Sequence, residues 1–415
     1  MSETERKTAL DEVAVATATV SASSVVTAES EIGLRKEFIL ALQHTIAMFG
    51  ATVLVPFLTG LSPTVALFCA GLGTLVFHLI TKGMVPVFLG SSFAFIAPIL
   101  VVKESFGLPY ATGGIIVAGL IYAVLSMVIK VVGSDKIRSY LPPTVTGPVI
   151  MVIGLNLAPV AIDMASSNWL VASIVLASVI LASVFMKGFF KMVPILIGVT
   201  VGYVVSMIVG IVDFTPIKEA PIFALPDFMA PKFSWGAIAI IAPVAIVTLM
   251  EHIGDMITNG TVVGKDFFDQ PGLSRTVMGD GIATALAGFL GGPANTTYSE
   301  NTGVLALTKV YDPKILRYAA VFAIIMSLVG KLGAIIRTIP EAVMGGICIM
   351  LFGMIASIGM RTVAERVDFS RSRNLIISAV ILIFGLSQVS IFGLSSMALA
   401  AILGIILNKF LPEGV

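Results

Sequence analysis

After a polar start, this chain alternates apolar runs with short connections that carry most of its Pro, Gly and charged residues. A hydrocarbon core about 30 Å thick is crossed by about 20 helical residues. Fourteen runs approach that length, with limits near 38–58, 63–81, 86–103, 110–131, 144–161, 168–186, 190–212, 235–257, 275–291, 295–309, 315–334, 340–358, 374–389 and 393–411. The third, ninth and tenth are short or interrupted by Gly, Pro and polar residues.

Composition turns this pattern into a class. Of 415 residues, 57% are hydrophobic and 12% charged, and the mean hydropathy is +1.04. An ordinary soluble domain carries about 25% charged residues, so the pattern predicts an all-α polytopic membrane protein with the lipid bilayer as its solvent. The net charge of +1 offers no basic stripe for phosphates, which excludes a nucleic-acid partner. Cys69 and Cys348 each lie in an apolar run and read as small buried hydrophobes. Residues 1–34, rich in Ser, Thr, Ala and Glu, read as a disordered cytoplasmic tail.

Charge then orients the spans. With both termini cytoplasmic, 20 of the 25 Lys and Arg residues fall on the inner side, leaving Lys103, Lys218, Lys232, Lys331 and Arg337 outside. Trp169 and Trp235 open spans at the outer interface, where an aromatic belt forms.

Three weak echoes recur seven spans apart. Gln43-His44 returns as Glu251-His252, an offset of 208; Ser91-Ser92-Phe93-Ala94 returns as Thr296-Thr297-Tyr298-Ser299, an offset of 205; Pro142, Val145 and Gly147 return as Pro340, Val343 and Gly345, an offset of 198. Together they predict two seven-span repeats, 37–213 and 235–411. Seven is odd, so the second repeat enters the membrane from the opposite side and the repeats are inverted.

The candidate chemistry sits at these echoes. Gly90-Ser91-Ser92-Phe93 and Asn295-Thr296-Thr297-Tyr298 make poor helix but good extended backbone, so spans three and ten read as broken by short strands. Lipid does not tolerate unpaired backbone, and inversion would bring the two segments together antiparallel. The half-helices that follow, near Phe95 and Asn301, would then aim their N-termini at mid-membrane, where a polar solute is welcome.

Two acids deep in apolar sequence, Glu300 and Glu251, read as binding a small polar solute and a proton. The plainer alternatives are helix capping for Glu300 and pairing with a basic group, of which Lys331 is the deep candidate, for Glu251. Asp255 shares a helix face with Glu251, and two carboxylates so placed repel when both are charged, which favours holding a proton; alternatively it already lies in solvent at the cytoplasmic interface. His252 reads as a packing or hydrogen-bonding residue, as do His44 and His78, with Gln43 and His44 buttressing the site. Asp280 reads as a helix-entry or interfacial acid with a supporting role. No His-x-x-x-His pair, Cys/His cluster, nucleophile–base pair or nucleotide loop is present in the sequence, which disfavours an enzyme and any cofactor beyond the coupling proton.

Glu300-Asn301-x-Gly303-x-x-x-x-Thr308-Lys309, with Gln43-His44, Met48-Phe49-Gly50-Ala51, Leu89 to Phe95, Glu251-His252 and Asn295 to Tyr298, resembles the nucleobase–ascorbate transporter family (nucleobase:cation symporter family 2), most closely its bacterial uracil:proton symporters. The resemblance runs from about Leu42 to the last span. It implies a core domain (about 37–131 plus 235–334) and a gate domain (about 140–213 plus 338–411), with homodimerisation through the gate domains.

It also implies that Glu251 and Glu300 bind the base, that the backbone amides of Phe93 and Ser299 take its carbonyls, and that Ala51, Ser92, Tyr298 and Phe352 line the pocket. Proton coupling falls to Glu251 and Asp255, and Gln43, His44, Asn301 and Asp280 support the site. Three residues depart from the uracil pattern: Asp255 stands where a histidine is usual, Ser299 where a glycine is usual, and Phe352 where a tyrosine is usual. Asp255 and Asp280 lean toward purine carriers, whereas Glu300, where those carriers have Gln, leans toward uracil. The expectation is therefore a proton-coupled uracil importer of the bacterial plasma membrane working by alternating access. A xanthine symporter of the same family and a passive nucleobase facilitator or channel are the alternatives.

Overall fold

The computed structural model describes residues 33–387, 389 and 394–412, so the expected N-terminal tail lies almost wholly outside the described residues. In chain order the longer elements are α1 (Leu34–Thr59), α2 (Pro63–Ile80), β1 (Leu89–Ser91), α3 (Ile96–Ser105), α4 (Leu108–Val132), α5 (Pro143–Asn156), α6 (Ala158–Ser166), α7 (Trp169–Phe185), α8 (Pro194–Val209), α9 (Trp235–Ile241), α10 (Val244–Val263), α11 (Leu273–Phe289), β2 (Asn295–Thr297), α12 (Ser299–Thr308), α13 (Pro313–Ser327), α14 (Gly330–Arg337), α15 (Glu341–Arg366), α16 (Ser372–Leu386) and α17 (Ser396–Phe410).

Among the described residues six helical stretches are long and apolar enough to cross a membrane: Leu34–Thr59, Pro63–Ile80, Leu108–Val132, Pro143–Ser166, Trp235–Val263 and Glu341–Arg366. Four shorter apolar helices, α7, α8, α16 and α17, accompany them. The ninth candidate span, interrupted on paper by Gly and polar residues, forms one continuous helix, α11. Its glycines are packing surface: a Cβ on Gly281 would lie 2.5 Å from Tyr122 Cβ, and one on Gly119 of α4 would lie 2.5 Å from Gly281 O. Small residues let these helix axes approach closely, as lipid-embedded helices require.

At the centre β1 and β2 pair antiparallel in the register Leu89↔Thr297, Gly90↔Thr296 and Ser91↔Asn295. Ser92 N–H donates to Ala294 O at 2.8 Å and Tyr298 N–H to Phe88 O at 2.9 Å, extending the ladder at both ends. Backbone groups that a helix would have satisfied internally are paired here between two distant segments. The first strand starts one residue earlier than the sequence predicts, and Phe93 to Phe95 already turn into helix ahead of α3. Gly90 permits the pairing, because a Cβ there would sit 2.3 Å from the Tyr298 ring.

Against the strands pack α1, α2, α10 and α11, with α4, α12 and α13 packed on these helices; a second set, α5 to α8, packs with α15, α16 and α17. The two sets meet where α10 touches α5 and α17, and where α1 touches α8.

Candidate functional site

The site is built from the exits of the two strands. β2 ends at Thr297, Tyr298 stays extended, and α12 begins at Ser299, so Glu300 occupies the first turn of a helix whose free N–H groups and positive dipole end favour an acid. Its carboxylate accepts from its own backbone N–H. Along α12, Ser299, Gly303, Ala306 and Leu307 are exposed while Asn301, Thr302, Val304 and Leu305 are buried, so one stripe faces open space. Along α10 the half-buried or exposed residues Glu251, Gly254, Asp255 and Thr258 form the matching stripe.

Glu300 and Gly303 line a groove of about 500 Å³ together with Ile46 and Gly50 of α1, Ile195 of α8 and Leu351 of α15, with Lys191 among the lining residues. It therefore lies between the two sets of helices. A Cβ added at Gly254, Gly303 or Gly353 would meet nothing within 4 Å, so these glycines border open space rather than packing.

Asp255 is the most fully engaged of the three acids Glu251, Asp255 and Glu300. Thr297 Oγ1 donates to its Oδ2 at 2.9 Å, and Ser299 Oγ donates to its Oδ1 at 2.6 Å, tying α10 to the strand and to the start of α12. The alternative of a solvated interfacial Asp255 does not hold. Two of the three departures from the resemblance, Asp255 and Ser299, touch each other. Glu251 lies one turn earlier; its Oε2 is buried with no hydrogen-bond partner among the described residues. Glu251 is within electrostatic reach of Asp255 and Glu300. Lys331, its candidate basic partner, instead donates to Ile217 O at 2.6 Å in the connection between α8 and α9, so it does not neutralise Glu251.

The remaining predicted residues divide by what they touch. Ala51 and Ser92 are fully buried beside the strands. Phe93 meets Phe352 edge to face at 6.3 Å, joining the first strand's exit to α15. Tyr298 is buried, and its hydroxyl donates to Ser91 O at 2.9 Å while its ring covers Gly90, so its side chain clamps the strand pair. Asn301 Nδ2 contacts both His44 Nδ1 at 3.1 Å and His44 O at 3.0 Å, fixing α12 to α1. Gln43 is half-buried.

Asp280 differs from the interfacial acid expected. It sits within α11 at 0% exposure, and His252 Nδ1, also at 0%, lies 2.8 Å from its Oδ2. His252 Nε2 faces Thr276 Oγ1 at 2.9 Å. Asp280 is held mid-helix because α11 packs against α4 and α10, and a buried acid there requires a partner. Sequence reading did not single out this pair, nor Thr297 as a partner of Asp255. The available signal was the one-residue offset of His252 from Glu251, which turns its ring about 100° away from the acid and toward a neighbouring helix.

Comparison with known proteins follows the same lines. The Permease family model matches residues 35–394. The uracil permease of Bacillus caldolyticus is 47% identical over 394 residues, covering 90% of this chain and 91% of that protein. The uracil permease of Bacillus subtilis (strain 168) is 45% identical over 399 residues, covering 90% and 92%. That of Escherichia coli (strain K12) is 43% identical over 382 residues, covering 88% and 89%.

Among solved structures, the transmembrane domain of a cyanobacterium bicarbonate transporter, BicA, superposes with a TM-score of 0.60 at 15% identity over 90% of this chain and 96% of that one. Murine Solute Carrier 26 family member A9, an anion transporter in the inward-facing state, gives 0.69 at 10% identity over 92% and 68%. At such identities the likeness is one of fold alone, a membrane transporter fold. With its family model matched across residues 35–394 and relatives above 40% identity along most of both chains, the chain belongs to the Permease family and is an integral membrane permease, not an enzyme.

Proposed function

We propose that this protein imports uracil together with a proton across the bacterial plasma membrane by alternating access. The observation that carries the reading is the meeting of Glu251, Asp255 and Glu300 around the paired strands, beside a groove that divides two sets of helices. Uracil presents N–H donors and C=O acceptors on one edge. A carboxylate accepts from the former, and free N–H groups at a helix start donate to the latter. The names of the relatives supply the choice of uracil.

In this reading Glu251 and Glu300 hold the base, the amides of Phe93 and Ser299 take its carbonyls, and Ala51, Ser92, Tyr298 and Phe352 shape the pocket. Glu251 and Asp255 carry the proton, with no cofactor. Gln43, His44, Asn301 and Asp280 support these groups. The architecture proposed with it is fourteen spans in two inverted repeats, with spans three and ten broken at the strands. The helices around the strands form the core domain, and α5 to α8 with α15 to α17 form the gate domain, through which two copies dimerise. Both termini lie in the cytoplasm. Rigid movement of core against gate would open the groove to alternate sides.

Labelled uracil should accumulate in proteoliposomes when the outside is acidic, and a protonophore should abolish the accumulation. Competition by unlabelled xanthine, hypoxanthine and thymine tests the substrate: xanthine competing where uracil does not would overturn the choice of base. Uptake that only equilibrates, indifferent to the protonophore, would make the protein a passive facilitator.

The open space at Gly303 yields a second expectation. Gly303→Leu gains about 1 kcal/mol of helix propensity and places its Cβ where nothing lies within 4 Å, so the folded protein should be as stable as the parent or more so. Its side chain would nevertheless enter the groove, and uracil uptake should fall at least about tenfold, the effect of about 1.4 kcal/mol. Unchanged uptake in a stable Gly303→Leu protein would remove the groove from the transport path.

A further inference from the structure

The hydrogen bonds around Asp255 contain an asymmetry. An ionised carboxylate only accepts, so in the observed arrangement both hydroxyl protons point at it, from Thr297 to Oδ2 and from Ser299 to Oδ1. The 2.6 Å Ser299 bond has the length of a charge-assisted O–H···O⁻ contact. A protonated Asp255 that keeps both contacts and directs its proton along one of them donates there, and that hydroxyl must turn its own proton elsewhere.

Thr297 cannot be that hydroxyl. It is 2% exposed, and among the described residues Asp255 is the acceptor its hydroxyl has. Turning its proton away would strand a buried donor, which costs about 1–3 kcal/mol by the usual penalty for an unsatisfied polar group. Ser299 is exposed and lies one turn before Gly303 on the α12 face that borders open space. Its proton can leave Asp255 and find an acceptor in the groove.

We propose that Asp255 and Ser299 form a proton-controlled donor switch, in which a proton on Asp255 Oδ1 donates to Ser299 Oγ and the Ser299 hydroxyl rotates to donate into the groove, to a carbonyl oxygen of the carried base. No covalent bond changes: the proton stays on Oδ1, and the serine contributes rotation alone. Thr297 keeps its bond to Oδ2 in both states and holds the carboxyl group in place. The switch gives the coupling proton a direct route to ligand affinity, since the site has one more outward donor when Asp255 is protonated. It rests on the uracil reading above and adds to it the Ser299 side chain, beyond its backbone amide.

The titratable groups facing Asp255 are few enough to separate. Glu251 and His252 lie on its own helix, Asp280 on α11, Glu300 on α12 and Tyr122 on α4. The neighbouring α5 and α9 carry no charged residue, and α17 only Lys409 at its end. Glu251 and Glu300 can also bind protons, so pH dependence alone does not isolate Asp255; the Ser299 variants do, because they remove no charge.

The test is equilibrium binding of labelled uracil to the purified full-length protein, from about pH 8 down to about pH 6, a hundredfold change in proton activity. Ligand binding favoured by a bound proton strengthens as pH falls, and the parent affinity should rise about tenfold over that range, a typical coupling between two linked sites. In Ser299→Ala and Ser299→Gly the rise should shrink to about twofold or less, and Ser299→Thr, which restores a hydroxyl at an exposed position, should recover it.

A full rise in Ser299→Ala overturns the switch, as does a parent affinity that ignores pH. A folded, monodisperse Ser299→Ala protein that binds no uracil even at high pH also overturns it, because there the hydroxyl is turned toward Asp255 and not toward the ligand. A parent protein that binds no uracil at any pH defeats the proposed function itself, an outcome distinct from a parent that binds with an unaltered pH slope in the variants.

Discussion

Glu300→Gln should lower uracil affinity by about 10- to 100-fold while leaving the protein folded, the loss expected for about 1.5–3 kcal/mol in one hydrogen bond to a charged group. The side chain stands at the start of α12 and lines the groove, where it accepts from its own backbone N–H. An amide of the same shape keeps one acceptor oxygen but replaces the other with a donor, so one of the base's N–H groups would face N–H. Stability should change little. The helix-dipole benefit of an acid in the first turn is about 0.3–1 kcal/mol, and among the described residues no ion pair is broken. Binding measured beside a thermal unfolding curve separates the two effects. Uracil affinity within about threefold of the parent would take Glu300 out of the site, since about 0.6 kcal/mol is too little for a charged hydrogen bond. Xanthine competition measured on the same variant shows whether the amide weakens the site or redirects it.

The parts of this site that could be read from sequence are those that depend on one segment alone. Ser and Thr hydroxyls with an aromatic, flanked by Gly and Pro, mark Gly90 to Phe93 and Asn295 to Tyr298 as extended, because such residues fit a strand better than a mid-membrane helix, and strands form there at Leu89–Ser91 and Asn295–Thr297. Glu300 at the start of a helix follows from the same segment. Glu251 and Asp255 share a face by the arithmetic of the helix.

What could not be read depends on which helices are neighbours. Asp255 bonds residues 42 and 44 positions away, Asn301 reaches His44 across 257 positions, and His252 finds Asp280 only because α10 and α11 lie side by side. Periodicity states which face of a helix is polar and leaves its partner open, so Asp280 read as a helix-entry or interfacial acid when it is fully buried. Lys331 shows the converse: placed by depth alone it was a candidate partner for Glu251, yet the carbonyls it caps belong to the connection around Ile217 and Lys218.

His252→Leu and Asp280→Leu should each destabilise the folded protein by about 3–5 kcal/mol, the usual consequence of stripping one partner from a fully buried His–Asp pair. The cost arises from the survivor. Asp280 without His252 is a fully buried acid with no basic partner among the described residues, and His252 without Asp280 keeps Thr276 as its polar contact among them. The double substitution removes both polar groups and fills the space with apolar side chains. Its destabilisation should therefore fall well below the sum of the singles, and a double-mutant cycle on unfolding free energy should return a coupling of at least about 2 kcal/mol.

Transport separates a structural pair from a functional one. The pair braces α10 next to Glu251 and lies within electrostatic reach of both site acids on that helix. If it serves only packing, the stable double variant should carry uracil at the parent rate. If, as its placement behind Glu251 and Asp255 predicts, its charges help set where the coupling proton resides, the double variant should stay folded and bind uracil with an altered pH dependence. A double variant with parent stability and a parent pH profile would reduce His252 and Asp280 to scaffold and leave proton coupling to Glu251 and Asp255 alone.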